Sequence, residues 1–173
     1  TNIVGLLPLS EGEKIAAMLK TSDFDEGKFV VMVTKNGKIK RTPLSAYKNV
    51  RKNGLIAIGL DEGDEIAGVR MTEGENELIV ATHNGRAIRI GENKIRSMSR
   101  TAHGVRAIKL REGDYVVSMA RIREGATVLT VTDKGNGRRC EIDSYRVQNR
   151  GGYGLLNYKA SDEKGYVCGI KVV

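Results

Sequence analysis

The chain of 173 residues contains no tryptophan, only two phenylalanines, two cysteines and two prolines, and no long apolar run. Without tryptophan it lacks the signature residue of WD-type repeats, and its core has to be built mainly from Ile, Val and Leu. The missing apolar run predicts no membrane-spanning helix, and no secretory signal pattern is present. Two unclustered cysteines, Cys140 and Cys168, predict buried thiols in a reducing compartment better than a metal site or a disulfide framework.

A repeat of about 50 residues organises the chain. Residues 31–37, 79–85 and 129–135 are three copies of one pattern, in which an apolar run leads into a turn that ends in glycine. Residues 9–15 match residues 60–66, the segment that holds the acidic turn of the first copy. We therefore expect the chain to begin inside a fourth copy and to be a segment of a longer protein.

Each copy predicts about four short β-strands. Residues 29–33 are apolar and β-branched, Asn36-Gly37 is a two-residue hairpin signal, and further strands are expected at 56–58 and 66–69. Units of this size and strand content are typical of propeller blades, each of which packs on its neighbour. We predict an all-β, propeller-like domain with the tail of a preceding blade at 1–22 and blades at 23–72, 73–123 and 124–173.

Charge follows the repeat. The formal net charge is +8, and residues 35–52 hold seven basic side chains and no acid, whereas residues 61–77 hold seven acids and one arginine. In a ring or spiral of blades, equivalent positions come to the same radial location, so the basic positions are expected to form one track and the acids to collect elsewhere. Such a track is typical of a surface for duplex DNA, although charge alone also suits RNA, an anionic membrane or a solvated face.

Arginine recurs in phase at Arg41, Arg89 and Arg139, which are separated by 48 and 50 residues. Recurrence in three copies favours a binding surface, although duplication of one ancestral blade would also produce it. The candidate DNA-binding residues are Lys35, Lys38, Lys40, Arg41, Lys48, Arg51, Lys52, Arg86, Arg89, Lys94, Arg96, Arg100, Lys134, Arg138, Arg139, Arg146, Gln148, Arg150, Gly151, Gly152 and Gly154.

No catalytic or metal-binding residue is predicted. The chain has no glycine-rich phosphate loop that ends in Gly-Lys-Ser/Thr. Tyr47 and Tyr145 share a repeat position with Ile95, which indicates packing and not catalysis. His83 at a hairpin tip and His103 in a loop are predicted to be surface residues and not general bases.

The last copy contains a glycine-rich loop. Residues 148–154 read Gln-Asn-Arg-Gly-Gly-Tyr-Gly, a sequence that suits close approach of the backbone to a phosphate chain and equally suits a plain turn. The loop resembles the box of the DNA gyrase A family, usually written Gln-(Arg/Lys)-Arg-Gly-Gly-(Arg/Lys)-Gly. The whole chain is similar to the C-terminal domain of that family. Asn149 and Tyr153 depart from the box, which favours a secondary box in a late blade.

This resemblance implies a β-pinwheel with strand exchange between blades and with double-stranded DNA wrapped, largely independently of sequence, around a basic rim. The implied role is to direct ATP-dependent negative supercoiling by a type II topoisomerase. The implied partners are the ATPase B subunit, in an A2B2 complex, and the rest of the gyrase A chain, in the bacterial cytoplasm at the nucleoid and away from membranes. The nucleophilic tyrosine, ATP and Mg²⁺ would act elsewhere in that complex, with no cofactor in this segment.

Two alternatives remain open. The equivalent domain of topoisomerase IV would select DNA segments without strong wrapping. An intact all-basic box in the sequence upstream of this segment would favour gyrase. A protein-interaction propeller of the WD-repeat or kelch kind has blades of similar length, but its aromatic signatures are missing from this chain.

Overall fold

The computed structural model describes residues 3–24 and 26–173. Within them, twelve β-strands form three sheets, joined by turns and short 3-10 segments, and the all-β prediction is confirmed. Thr1 and Asn2, in the predicted tail, and Asp25, in the first predicted blade, lie outside the described residues. None of the helical segments in the described part is long and apolar enough to cross a membrane.

Each repeat is built on a β-hairpin. In the first, β1 (Phe29–Thr34) pairs antiparallel with β2 (Lys38–Pro43), and Gly37 in the connecting turn has a φ of +86°. Glycine suits this turn because a Cβ would collide with the backbone at positive φ. The other edge of β1 pairs with β3 (Ile66–Thr72). The hairpin signal in the sequence therefore sets the register of the sheet.

The second and third repeats have the same arrangement. The first repeat runs from β1 to β3, residues 29–72, the second covers residues 77–121, and the third covers residues 127–172. Their main strands are β4 (Glu77–Thr82), β5 (Arg86–Gly91) and β7 (Val116–Arg121) in the second repeat, and β8 (Thr127–Thr132), β9 (Gly137–Glu141) and β12 (Val167–Val172) in the third.

Each of the first two sheets is completed by the following repeat. β6 (Val105–Arg106) belongs to the second repeat but pairs with β2 of the first. In the same way, β10 (Val147–Gln148) and β11 (Leu155–Leu156) of the third repeat pair with β5. The strand exchange implied by the family resemblance is therefore present. We call the contact between the first and second repeats the first junction, and that between the second and third repeats the second junction.

Residues 55–58 and the strand β9 have no exchange partner among the described residues. Residues 55–58, which correspond to β6 and β11, form no strand, and the strand predicted there is wrong. Strands at this position obtain their hydrogen bonds from a preceding hairpin, and the described residues hold none before β1. The hairpin strand β9 is exposed along most of its length, whereas the equivalent strands β2 and β5 are largely covered.

An apolar core fills each junction. At the first junction, Val31 and Ile39 pack with Ile95 of the second repeat. At the second, Ile79 packs with Tyr145 of the third repeat. Burial stabilises such side chains by about 1.5–3 kcal/mol each, so the contacts between repeats stabilise sheets that would be marginal alone.

The two cysteines are free thiols. Cys140 is half-buried, but Cys168 is exposed, so the prediction of a buried thiol is wrong for Cys168. Successive side chains of a strand point to opposite faces, and Cys168 lies at one of the solvent-facing positions of β12.

Candidate nucleic-acid interface

We call residues 48–56, 96–106 and 146–156, which follow the 3-10 segment of each repeat, the exchange segments; the second and third of them carry the exchanged strands β6, β10 and β11. Lys48, Arg96 and Arg146 occupy one repeat position, after the 3-10 segment of each repeat, and all three are exposed. An array of exposed cations at equivalent positions suits the regular spacing of DNA phosphates. The other exposed candidates are Arg51, Lys52, Lys94, Lys134, Arg138, Arg139 and Arg150.

Arg89 joins the second repeat to the third. Its guanidinium contacts the Glu77 carboxylate at 2.5 Å and donates to the carbonyl oxygens of Ile142 and Tyr145 at 3.1 and 3.0 Å. The side chain is half-buried, and its planar fork of donors is engaged across the second junction. Arg89 is therefore a structural residue of that junction.

Arg41 has the corresponding role at the first junction, whereas Arg139 is exposed. The Arg41 guanidinium lies 3.7 Å from the buried carboxylate of Glu92 and 4.3 Å from the centre of the Phe29 ring. Arg139, on the exposed strand β9, donates to the hydroxyl of Thr127 at 2.6 Å. The three in-phase arginines therefore do not form one exposed track, because the following repeat covers the first two.

Lys40 is buried and does not lie on the interface for which it is a candidate. Its ammonium donates to the carbonyl oxygen of Ala57 at 2.5 Å and also to that of Arg100. Burial lowers the pKa of Lys40 to about 8, with the charge of Arg100 as the second cause. The strand β2 that carries Lys40 is largely covered, so neither of its faces is free to present this lysine to solvent.

Four more candidate cations are half-buried. The Arg86 guanidinium, for example, donates to the carbonyl oxygens of Tyr153 and Gly154 at 3.2 and 2.7 Å. Groups held in this way present fewer free donors to a phosphate than the exposed cations do. The half-buried candidates besides Arg86 are Lys35, Lys38 and Arg100.

The recurring glycine serves the strand exchange. A Cβ at Gly154, whose φ is +68°, would lie 2.3 Å from the carbonyl oxygen of Ala87. At Gly104 it would lie 2.6 Å from that of Ile39. Gly152 differs, since it is exposed and has no atom within 4 Å of a Cβ position. Of these three glycines, Gly152 is the one with free space around its Cβ position.

The box-like loop packs along the second repeat. Gly151 donates its backbone N–H to the Ala107 carbonyl at 2.7 Å, and the Lys109 N–H donates to the Gly152 carbonyl at 2.7 Å. These bonds fix the loop beside the second repeat. Of the candidate residues in the loop, Arg150 and Gly152 are exposed, and Gln148, Gly151 and Gly154 are half-buried.

Three exposed cations beside this loop are missing from the sequence-based candidates: Arg106, Lys109 and Arg111. The Tyr153 ring lies close to two of them, with its centre 5.0 Å from the Lys109 ammonium and 5.4 Å from the Arg111 guanidinium. The signal that points to them is the strand exchange, because a loop that crosses to the previous repeat meets cations lying more than 40 residues earlier.

The acidic turns hold the hairpin tips. The Asp64 carboxylate accepts hydrogen bonds from the backbone N–H groups of Asn36 and Glu65 at 3.0 and 2.8 Å. Asp114 accepts the equivalent bond from Asn84 at 2.9 Å. These two carboxylates therefore serve the fold.

Asp61 is an acid beside an exchange segment. Its carboxylate contacts the Lys38 ammonium at 2.5 Å and the His103 Nδ1 at 2.7 Å. Hydrogen bonding from Lys38, and then from His103, lowers the pKa of Asp61 below its usual value. The carboxylate is therefore ionised at neutral pH and offsets part of the positive charge at the first junction.

A family model described as the DNA gyrase C-terminal domain, β-propeller, matches residues 28–73, 76–123 and 126–173. The chain belongs to the DNA gyrase A C-terminal domain family. The resemblance predicted from the sequence is thereby confirmed. Among the gyrase relatives, the DNA gyrase A protein of Clostridium acetobutylicum (strain ATCC 824) is 45% identical over 173 residues, which cover 100% of this chain and 21% of the relative. The chain thus spans about a fifth of the length of the curated gyrase A relatives it matches.

Solved structures agree with this family. The structure of a DNA gyrase A C-terminal domain matches with a TM-score of 0.90 and 26% identity, over 100% of this chain and 58% of that one. The crystal structure of the C-terminal domain of a DNA topoisomerase IV matches with a TM-score of 0.91 and 28% identity, over 100% and 55%. The fold is thus that of the C-terminal domains of these type II topoisomerases.

Proposed function

We propose that the chain binds duplex DNA and wraps it around the rim formed by its exchange segments, as the C-terminal domain of a gyrase A protein. The observation that carries the proposal is the exposure of three cations, Lys48, Arg96 and Arg146, at one repeat position. Contacts to phosphates position a duplex but carry no direct base information. Binding is therefore largely independent of sequence.

The function of the rim is mechanical. Bending a DNA site by 40–90° costs about 1–6 kcal/mol, which several phosphate contacts offset. In the complete enzyme the bend presents a DNA segment to the gate with a fixed hand, so that ATP-driven strand passage introduces negative supercoils. ATP and Mg²⁺ act in other parts of an A2B2 complex, formed with the B subunit and with the rest of the gyrase A chain, at the nucleoid in the cytoplasm.

The rim is tested with the triple variant Lys48→Ala, Arg96→Ala and Arg146→Ala. Affinity for a duplex of about 60 base pairs is measured by fluorescence anisotropy at several salt concentrations. Loss of three phosphate contacts is expected to reduce the slope of log affinity against log salt by about 2.7. The matched control removes three exposed lysines outside the exchange segments, Lys14, Lys20 and Lys171, and is expected to keep the wild-type slope.

Two results contradict the proposal. One is an unaltered chain that does not bind the duplex, or binds it without dependence on salt. The other is an equal loss of slope in the rim variant and the control, which would show that only net charge matters. Recovery of a protein partner but no DNA would favour an interaction propeller instead.

Topoisomerase IV supplies the second candidate, because the solved domain of that enzyme matches as well as the gyrase domain does. A domain of that kind binds DNA segments with little bending. Energy transfer between dyes at the two ends of the same duplex separates the candidates. A rise on binding supports wrapping, and binding without a rise supports segment selection.

A further inference from the structure

Lys109 and Arg111, held by the Tyr153 ring, form a cationic platform beside the exposed residue Gly152. We infer that this platform at the second junction is a DNA phosphate anchor of the chain, and that the first junction has no counterpart. The inference rests on the proposed DNA-binding function. It implies that the second junction contacts DNA phosphates more strongly than the first.

The platform is held in place by both repeats. Backbone hydrogen bonds join Lys109 to Gly152, and Arg86 donates to the carbonyl oxygens of Tyr153 and Gly154. Tyr153 is 43% exposed. Lys109 and Arg111 beside it are exposed as well, so the ring positions the two cations while their donors stay accessible. An aromatic face attracts a cation without consuming its hydrogen-bond donors, and these donors are then available to phosphate oxygens.

The same position of the first junction carries other chemistry. Gly59, Asp61 and His103 correspond to Lys109, Arg111 and Tyr153, each 50 residues earlier. The His103 ring is hydrogen-bonded to Asp61, whose carboxylate also pairs with Lys38. A carboxylate at this place repels a phosphate, whereas two exposed cations attract one.

Two further exposed cations, Arg106 and Arg150, lie at the same junction as the platform. Arg150 donates to the Arg106 carbonyl at 3.4 Å. Arg106 and Arg150 therefore add positive charge at the junction that carries the platform. A polyanion that neutralises several such cations releases counterions as it binds.

The test is the double variant Lys109→Ala and Arg111→Ala, compared with Lys14→Ala and Lys20→Ala, which lose the same charge elsewhere. We expect the platform variant to reduce the salt slope of duplex binding by about 1.8 and the affinity at 0.1 M salt on the order of tenfold, and the control to change neither. The positioning role of Tyr153 is tested with Tyr153→Phe, which retains the ring, and Tyr153→Ala, which removes it. The phenylalanine variant is expected to retain the slope, and the alanine variant to lose part of it while circular dichroism and thermal unfolding stay unchanged.

Each outcome is decisive. Wild-type affinity and slope in the platform variant would overturn the inference and leave the proposed function standing. Equal losses in the platform and control variants would overturn it too, because only net charge would then matter. Failure of the unaltered chain to bind DNA would overturn the proposed function and the inference together. A loss confined to the platform variant supports both.

Discussion

The two junctions of this molecule have the same backbone topology but are held by different side chains. At the second junction the Gly151 N–H reaches the Ala107 carbonyl directly. At the first, the buried ammonium of Lys40 donates to the equivalent carbonyl, that of Ala57, and also to the carbonyl of Arg100 in the second repeat. Backbone exchange is thus the constant feature of the repeat, and the side chains that complete it vary from one junction to the next.

This difference separates the requirements of the fold from those of a binding surface. Gly104 and Gly154 are needed at both junctions, since each lies against a carbonyl of the preceding hairpin. Charge at the outer face, by contrast, changes sign between Asp61 and Arg111. The glycines that recur at Gly104 and Gly154 therefore serve the exchange, whereas the charge at the position of Asp61 and Arg111 is free to differ between the junctions.

The largest expected effect concerns the glycine of the crossing. Gly154→Ala places a Cβ 2.3 Å from the Ala87 carbonyl at a positive φ, and we expect it to lower the free energy of unfolding by about 3 kcal/mol or more. Gly104→Ala is expected to act similarly at the first junction. Gly54, with φ +79° and nothing within 4 Å, is the control and is expected to cost about 1 kcal/mol. Urea unfolding measures the stability of the three variants. An equal loss of unfolding free energy in all three would contradict a role of Gly154 and Gly104 in the strand exchange.

The next effect distinguishes the two junctions by the pH dependence of their stability. Because the pKa of Lys40 is lowered to about 8 from 10.5 in the fold, the unfolded chain binds more protons between these values, and stability rises with pH across this window. The stability gained in this way is complete above pH 10.5 and is lost as the pH falls through 8. It amounts to about 3 kcal/mol in the free energy of unfolding. Subtracting the pH curve of Lys40→Met from that of the wild type isolates it.

Lys48→Met, at an exposed position, is the control for this measurement and is expected to retain the full rise. Parallel wild-type and Lys40→Met curves would show that the Lys40 ammonium is not desolvated at the first junction. The equivalent residue of the second junction is Ile88, so no comparable titration is expected there.

A smaller effect concerns the Tyr145 hydroxyl in the apolar core of the second junction. The buried Tyr145 hydroxyl donates to the Asn157 side chain at 2.5 Å, which donates in turn to Thr130 at 2.9 Å. Tyr145→Phe leaves the Asn157 oxygen unpaired and is expected to cost about 1–2 kcal/mol in urea unfolding. Tyr153→Phe alters an exposed tyrosine and is expected to change little. An unchanged stability of Tyr145→Phe would contradict a role for this hydrogen bond.

The sequence predicts the features of this fold that are local. The Asn36-Gly37 signal, the β-branched run before it and the repeat spacing predict hairpins and an all-β fold, because turn and strand preferences act over a few residues. The burial of Lys40 and the pairing of Arg89 are not predicted in this way, since both depend on what the following repeat places against the strand. The absent strand at 55–58 has the same origin, because its hydrogen bonds come from another repeat.

The smallest effect bears on DNA. Asp61 stays ionised at neutral pH, because hydrogen bonds from Lys38 and His103 lower its pKa. Asp61→Asn removes this negative charge and releases Lys38 from its ion pair, so the first junction approaches the charge of the second. We expect duplex affinity to rise about two- to fivefold at low salt, with a small increase in the salt slope.

Glu62→Gln is the control for this last change, since Glu62 is exposed and follows Asp61 in the chain with the same charge. It removes one negative charge without freeing a lysine at the exchange segment. A gain in Asp61→Asn that exceeds the gain in Glu62→Gln locates the effect at the junction. Equal gains would mean that DNA responds to the net charge of the molecule, and the difference between the two junctions would then concern the fold alone.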